Sequence, residues 1–246
     1  MTSIVAGREH SLGLHTQYII MILIFQMMPM NWSDLEKHFS SARLSRYRAS
    51  CAGDEVKAAT AYVNNMLLAE AMMPMLSVLE IALKNGIHRR LSALYHRADW
   101  WEAWASDQAF AWQSREVASA KNKLQRRSEA ATTDKIVAEL AFGFWSSLFN
   151  GSFQTVLWKD LRLVFPRCPK HQRKRQTISS ALNLIRNLRN RVFHHEQLLW
   201  LTPSLLDLHM KGTEVIGWLD PQLVPWLAQY DRLPATWAIS QGYGFG

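Results

Sequence analysis

The sequence predicts an all-α protein, on three observations. Apolar residues recur at steps of three and four along several segments, polar turn signals separate those segments, and no convincing strand-like alternation occurs. Of the 246 residues, 48% are hydrophobic and 20% are charged, which is the balance of a globular chain with its own core. The same composition excludes disordered, collagen-like and coiled-coil rod proteins.

The first half of the chain carries several helix signals. Ser33 and Glu36 have the spacing of a capping box, which predicts a short helix beginning there. Residues 54–71 are rich in Ala, Leu and Met and are followed by Pro74, so we expect two helices or one bent helix. Beyond this proline, apolar residues at helical spacing predict an amphipathic helix of about 20 residues. Its apolar face comprises Met75, Leu76, Leu79, Leu83, Ile87, Leu91 and Leu94.

The second half continues the helical pattern. The basic stretch 121–127 leads into a polar loop that ends one helix, and Thr133 is placed to cap another helix over residues 134–149. Two prolines then mark a break before a helix over residues 177–199. The buried face of that helix is predicted to hold Ile178, Ala181, Leu182, Ile185, Leu188, Val192 and Leu199. With no internal repeat and no low-complexity linker, we predict one domain over residues 30–246.

The strongly apolar run Tyr18–Met28 is too short for the ~20 residues of a bilayer span, and it lacks the flanks of a signal peptide. We expect either that the natural start is Met28 or Met30, or that residues 1–29 form a short packing or membrane-touching segment. We expect a cytoplasmic protein without a membrane span.

The sequence contains no motif for zinc binding or for nucleotide-triphosphate chemistry. Cys51 and Cys168 stand far apart without a zinc-ligand spacing, which fits a reducing cytosol and predicts no metal site. The glycines form neither GxGxxG nor GxxxxGK[ST], so nucleotide-triphosphate chemistry is not expected and no cofactor is predicted.

The charge balance favours a polyanionic partner. Lys and Arg number 28 against 20 Asp and Glu, which gives a net charge of +8 and a pI near 9.7. Nucleic acid is therefore the leading partner class, although many basic proteins bind no specific anion.

The densest group of chemically active side chains lies in residues 189–196. On the helical wheel Arg189 and Glu196 fall within the apolar arc, where an unpaired charge is costly, so each must be paired or line a cleft or interface. Arg189 offers a fork of donors to phosphate, and His194 and His195 can exchange protons near neutral pH. Since the 2′-hydroxyl of RNA supplies its own nucleophile, such a set suffices for metal-independent cleavage. The alternative is structural: the histidines and Glu196 are cap or interface residues, and Arg189 is a buried ion-pair member.

The string Arg189–His194 has the form R-N-x-x-x-H and resembles the signature of HEPN ribonucleases (higher eukaryotes and prokaryotes nucleotide-binding). More specifically, the chain resembles the Abi-like family of bacterial abortive-infection proteins through three blocks in the family's order: Leu76–His88, Val137–Phe149 and Leu188–Trp200. The resemblance covers roughly residues 30–230 and leaves residues 1–29 outside. Val192 and Phe193 stand where the family often has small residues.

The resemblance implies a helical bundle that forms a homodimer, in which two motifs face each other and cut single-stranded RNA without a metal. Arg189 and His194 would be the catalytic pair, Asn190 would orient the pair or hold phosphate, and His195 and Glu196 would support them in the cleft.

Residues outside the motif complete the predicted site. Glu80 would line the cleft or pack against the motif helix. The candidate RNA-binding residues are Lys84, Asn85, Lys170, Arg173, Lys174, Arg175 and Arg191.

The implied role is a toxin or phage-defence effector, and a protein or RNA antitoxin is a candidate partner. The competing hypotheses are a non-catalytic RNA-binding or antitoxin-binding module and, with least support, membrane association through Tyr18–Met28.

Overall fold

A computed structural model describes residues 30–245, and the predictions for residues 1–29 lie outside that range. It confirms the all-α prediction, with 72% helix and no strand among the residues described. The helices are α1 (Trp32–Phe39), α2 (Ser41–Ser50), α3 (Glu55–Tyr95), α4 (Ala111–Arg126), α5 (Thr133–Glu139), α6 (Phe142–Ser147), α7 (Trp158–Leu161), α8 (Arg175–Phe193), α9 (Leu205–Leu219), α10 (Leu223–Ala228) and α11 (Leu233–Gly242). The chain divides into two compact units, Met1–Val63 and Asn64–Gly246, whose boundary falls inside α3. One domain over residues 30–246 stays a prediction.

The first unit shows how α1 begins. The side chain of Asn31 accepts a hydrogen bond from the backbone N–H of Asp34 at 2.9 Å, so Asn31 is the N-cap. The predicted capping box is therefore wrong, because Ser33 already lies inside the helix. In α2 the residues Leu44 and Tyr47 are buried.

A single helix, α3, runs through Pro74. Of the two expected alternatives, separate helices before and after this proline are therefore wrong. The backbone N–H of Lys57 donates to the Asp54 side chain at 2.9 Å and so satisfies a free donor of the first turn. The apolar face predicted for the helix after Pro74 is confirmed from Met75 to Leu91, where each predicted residue is buried. Leu94 is half-buried. Among residues 30–245, α3 is also the helix that is long and apolar enough to cross a membrane, a test that core helices of soluble proteins pass as well.

An aromatic cluster fills the core beside α3. The ring of Phe110 stacks on Trp104 at 4.2 Å and on Phe153 at 4.8 Å between centroids. The Trp100 indole N–H donates to His88 Nδ1 at 3.0 Å, so this imidazole nitrogen acts as an acceptor. Burial lowers the pKa of His88, because the charged imidazolium is less stable away from water.

The segment predicted as one helix over residues 134–149 is two helices, α5 and α6. Its N-cap is Thr132 rather than Thr133, and the break falls at Leu140, whose backbone is extended (φ −71°, ψ 123°). The Trp145 indole N–H donates to the Leu140 carbonyl at 3.1 Å, which satisfies an acceptor that the break leaves free. The turn buries both Leu140 and Phe142 and lets α6 pack against α8. Core burial therefore outweighs the local helical pattern.

Candidate active site

The R-N-x-x-x-H residues lie at the carboxyl end of α8. The predicted buried face of this helix is confirmed by Ile178, Ala181, Leu182, Ile185, Leu188 and Val192. The helix ends at Phe193, however, so its predicted extension to residue 199 is wrong. Glu196 consequently lies beyond the helix with 43% of its side chain exposed, and its predicted place in the apolar arc is corrected.

Arg189 is held against α3. Its Nε atom lies 3.3 Å from Glu80 Oε2, and the two side chains are 27% and 24% exposed. The guanidinium carbon also lies 4.4 Å from the centre of the Phe193 ring, a cation–π contact. The expectation that Arg189 is paired or lines a cleft is met by this ion pair. Neither Nη nitrogen has a hydrogen-bond partner among residues 30–245, so both are available to an anion.

The two histidines follow in a tight turn that closes α8. The N–H of Glu196 donates to the carbonyl of Arg191 at 2.8 Å, and the N–H of His195 donates to that of Val192 at 3.2 Å. These two bonds define a Schellman motif, in which the residue at the His195 position has a left-handed backbone. His195 accordingly has φ +54°, at a position that glycine usually occupies.

The turn displays its side chains to solvent. Asn190, His194 and His195 are exposed, and the N–H of His194 donates to the Asn190 carbonyl at 2.8 Å. Arg191 Nη1 lies 3.5 Å from Glu196 Oε2, so a candidate RNA-binding residue and a candidate supporting residue pair with each other. The structure thus exposes Asn190, Arg191, His194 and His195 at the carboxyl end of α8, while Arg189 is half-buried against α3.

A residue that the sequence analysis did not single out holds this turn in place. Asn65 of α3 is 3% exposed. Its Nδ2 donates to the Glu196 carbonyl at 3.0 Å, and its Oδ1 accepts from the Leu198 N–H at 2.6 Å. The only signal in the sequence is a pair of amides, Asn64 and Asn65, within the apolar segment 54–71, because buried amides require hydrogen-bond partners.

Two further predicted residues lie close to the ion pair. Lys84 and Asn85 are four and five positions after Glu80 on α3, about 6–8 Å along the helix axis. Lys84 is half-buried and Asn85 is exposed. The Glu80–Arg189 contact therefore joins the first and third of the family-like blocks at one place.

The predicted basic cluster lies at the other end of α8. Arg189 is 14 positions after Arg175, the first residue of this helix, so about 21 Å separate the two along the axis at ~1.5 Å per residue. Lys170 and Lys174 are exposed there. The structure does not bring this cluster to the motif, and a role in contacting a longer RNA stays a prediction.

Two arginines of that cluster brace the neighbouring loops. Arg173 donates from Nη2 to the carbonyls of Pro166 and Cys168, both at 2.8 Å. Arg175 donates from Nη1 to the Phe149 carbonyl at 3.0 Å. Both guanidinium groups therefore have structural contacts in addition to their predicted role.

Within residues 30–245, no three His, Cys, Asp or Glu side chains come together in a group that could hold a metal ion. Both cysteines are buried and free, and burial raises the pKa of each thiol.

Comparison with known proteins identifies no relative of this chain. No protein-family model, curated protein or solved structure matches this chain. Membership of the Abi-like HEPN family therefore stays a prediction, carried by residues 76–88, 137–149 and 188–200.

Proposed function

We propose that this protein is a HEPN-type endoribonuclease that cuts single-stranded RNA in the cytoplasm, as a toxin or abortive-infection effector. One observation carries the proposal: a guanidinium anchored by Glu80 lies five and six residues before two exposed imidazoles. The net charge of +8 supports an RNA substrate, because a cationic surface attracts the phosphate backbone.

The residues can divide the chemistry of transesterification among them. The 2′-oxygen of the RNA attacks the adjacent phosphorus, the bond from phosphorus to the 5′-oxygen breaks, and a 2′,3′-cyclic phosphate and a 5′-hydroxyl form. His194 accepts the proton of the 2′-hydroxyl, and Arg189 donates from its Nη atoms to the phosphate oxygens as their negative charge grows. Asn190 orients the pair or holds the phosphate.

The proton balance of this step requires two proton-transferring groups. One group must accept the proton of the 2′-hydroxyl while another donates a proton to the departing 5′-oxygen. A homodimer supplies His194 twice in a composite cleft, whereas His195 is the second imidazole within one chain. Two exposed apolar side chains support such an interface: Ile81, which follows Glu80, is 52% exposed and Phe193 is 44% exposed.

A cleavage assay tests the proposal. Purified protein is incubated with single-stranded RNA in the presence of EDTA, and the product ends are identified. We expect cyclic-phosphate ends, and a loss of rate of about 10²- to 10⁴-fold in His194→Ala, the range for removing a general acid or base. Arg189→Ala should lose a comparable factor because it removes charge stabilisation.

Matched controls are His38→Ala and Arg46→Ala, which change exposed residues outside the motif. In cells, induction of the wild type should arrest growth and fragment RNA, and both effects should disappear in the two motif variants. Cleavage that persists in folded His194→Ala and Arg189→Ala proteins would refute the assigned roles.

A second function, a non-catalytic RNA-binding or antitoxin-binding module, is favoured by one observation. Arg189 has an ion-pair partner and His194 closes a helix, so both residues also have structural roles. Affinity that falls linearly with the logarithm of salt concentration, without cleavage products, would select this module.

A further inference from the structure

A cavity of 440 Å³ lies beside α8. One of its lining residues, Arg186, is three positions before the motif residue Arg189. It is bordered by the start of α4, by α6, by the short turn Gly151–Phe153 and by α8. Its volume is within the range of small-ligand sites, about 300–1,000 Å³. The lining combines an indole, a guanidinium and amide groups, which together match the parts of a nucleotide.

Arg186 supplies the cationic group of this cavity. It is three residues before Arg189 on α8, about 4.5 Å along the helix axis. Its side chain is half-buried and, within the described part of the chain, forms no ion pair or hydrogen bond. A guanidinium without a carboxylate partner suits a phosphate, whose oxygens it can bind in a bidentate manner.

Trp112 supplies the aromatic surface. It is 40% exposed, unlike Trp100 and Trp104, which are at most 2% exposed. On one side its ring lies 28° from parallel to Phe144, with 6.3 Å between centroids. An indole supported in this way and open to a cavity is suited to stack on a nucleobase of any sequence.

Amide and hydroxyl groups complete the lining. Gln113 is 4% exposed and donates from Nε2 to Ser147 Oγ at 3.3 Å, so its amide has a fixed position. Asn150 also lines the cavity and is exposed. Such groups can bond the polar edge of a base. The space itself is open, since a Cβ added to Gly143 would meet no atom within 4 Å other than those of its chain neighbours and its own helix backbone.

We propose that this cavity binds one nucleotide of the RNA strand, with its base stacked on Trp112 and its phosphate on Arg186. The proposal rests on the ribonuclease function and deepens it by assigning a subsite for a nucleotide near the cleaved bond. The closeness of Arg186 and Arg189 on one helix lets the two guanidinium groups contact different phosphates of the same strand.

The experiment separates binding from cleavage. Short single-stranded oligonucleotides with 2′-O-methyl groups cannot be cut through the 2′-oxygen, so fluorescence anisotropy measures their affinity for the full wild-type chain. Trp112→Ala should weaken binding about 5- to 150-fold, the range for losing one base–aromatic stack. Trp112→Phe should bind within about threefold of wild type, because a phenyl ring also stacks.

Two other variants test the cavity independently. Gly143→Leu fills the open space without removing a polar group and should weaken binding as Trp112→Ala does, whereas Gly242→Leu, also in open space, is its control. Arg186→Ala should reduce the slope of log affinity against log salt by about 0.7, the value for one phosphate contact on a single strand. Arg46→Ala, at an exposed arginine outside the cavity, is the control for that slope.

The outcomes are distinct once thermal denaturation shows that each variant folds. Weakened binding in Trp112→Ala and Gly143→Leu, with a smaller salt slope in Arg186→Ala, supports the subsite. Wild-type affinity in folded Gly143→Leu and Arg186→Ala overturns it, even where the wild type cuts RNA normally, and so does a wild type that binds none of the oligonucleotides. Cavity-dependent binding by a wild type that never cleaves unmodified RNA would instead refute the nuclease alone.

Discussion

Replacing Asn65 by alanine removes both hydrogen bonds that tie the turn after α8 to α3. Leu198 is fully buried, so its N–H is left without a partner and without water, at a cost of about 1–3 kcal/mol. The Glu196 carbonyl belongs to an exposed residue and can bind water instead, so its lost bond costs only about 0.5–1.5 kcal/mol. We therefore expect Asn65→Ala to lower the free energy of unfolding by about 1.5–4.5 kcal/mol.

Urea denaturation of Asn65→Ala, wild type and Asn122→Ala measures this loss, the last being an exposed asparagine on α4. Asn65→Asp keeps the acceptor for Leu198 but buries a carboxylate, and it should also destabilise the protein. A change below about 0.5 kcal/mol in Asn65→Ala, the usual size of a surface substitution, would refute the account of this contact.

Three further predictions concern backbone strain and titration. His195→Gly should raise the free energy of unfolding by about 1 kcal/mol, since glycine has no penalty at φ +54°. Burial lowers the pKa of His88, so the unfolded chain takes up the proton more readily and thermal stability should fall as the pH drops below 6.5; His88→Gln should flatten this dependence. Burial acts to raise the pKa of Asp231, but the His209 imidazole, whose Nε2 lies 2.8 Å from Asp231 Oδ2, outweighs it and holds that pKa below its ordinary value. Stability from this pair should be present above pH 3.8 and lost as the pH falls through the lowered pKa, a loss absent in Asp231→Asn.

Each of these has a direct check by thermal or acid denaturation. His96 also has φ +54°, so His96→Gly should stabilise the protein similarly and shows whether the effect is general. If His195→Gly lowers the free energy of unfolding, the imidazole makes a contact that stabilises the fold by more than the left-handed backbone costs. Stability of the wild type that does not change between about pH 7 and 5 would contradict the assignment of His88.

The amphipathic faces of the long helices were predictable from the sequence. Met75, Leu79 and Leu83 are fully buried, as their spacing indicates. Periodicity succeeds here because a helix that packs along its whole length must repeat its contacts every three or four residues.

Helix ends were less predictable. The end of α8 depends on His195 adopting a left-handed backbone, whereas sequence rules look for glycine or asparagine at that position. Pro74 lies inside a continuous helix, and α5 and α6 separate at Leu140 because that break buries two apolar side chains. In each case tertiary packing outweighed a local preference.

The sequence by itself determined that this is a basic, all-α protein and that residues 189–196 concentrate phosphate-binding and proton-transferring groups. Only the tertiary structure decided which distant side chains meet them. Glu80 reaches Arg189 across 109 positions, and Asn65 reaches Glu196 across 131. The physical reason is that composition and periodicity describe neighbours along one helix, whereas these contacts depend on how separate helices pack.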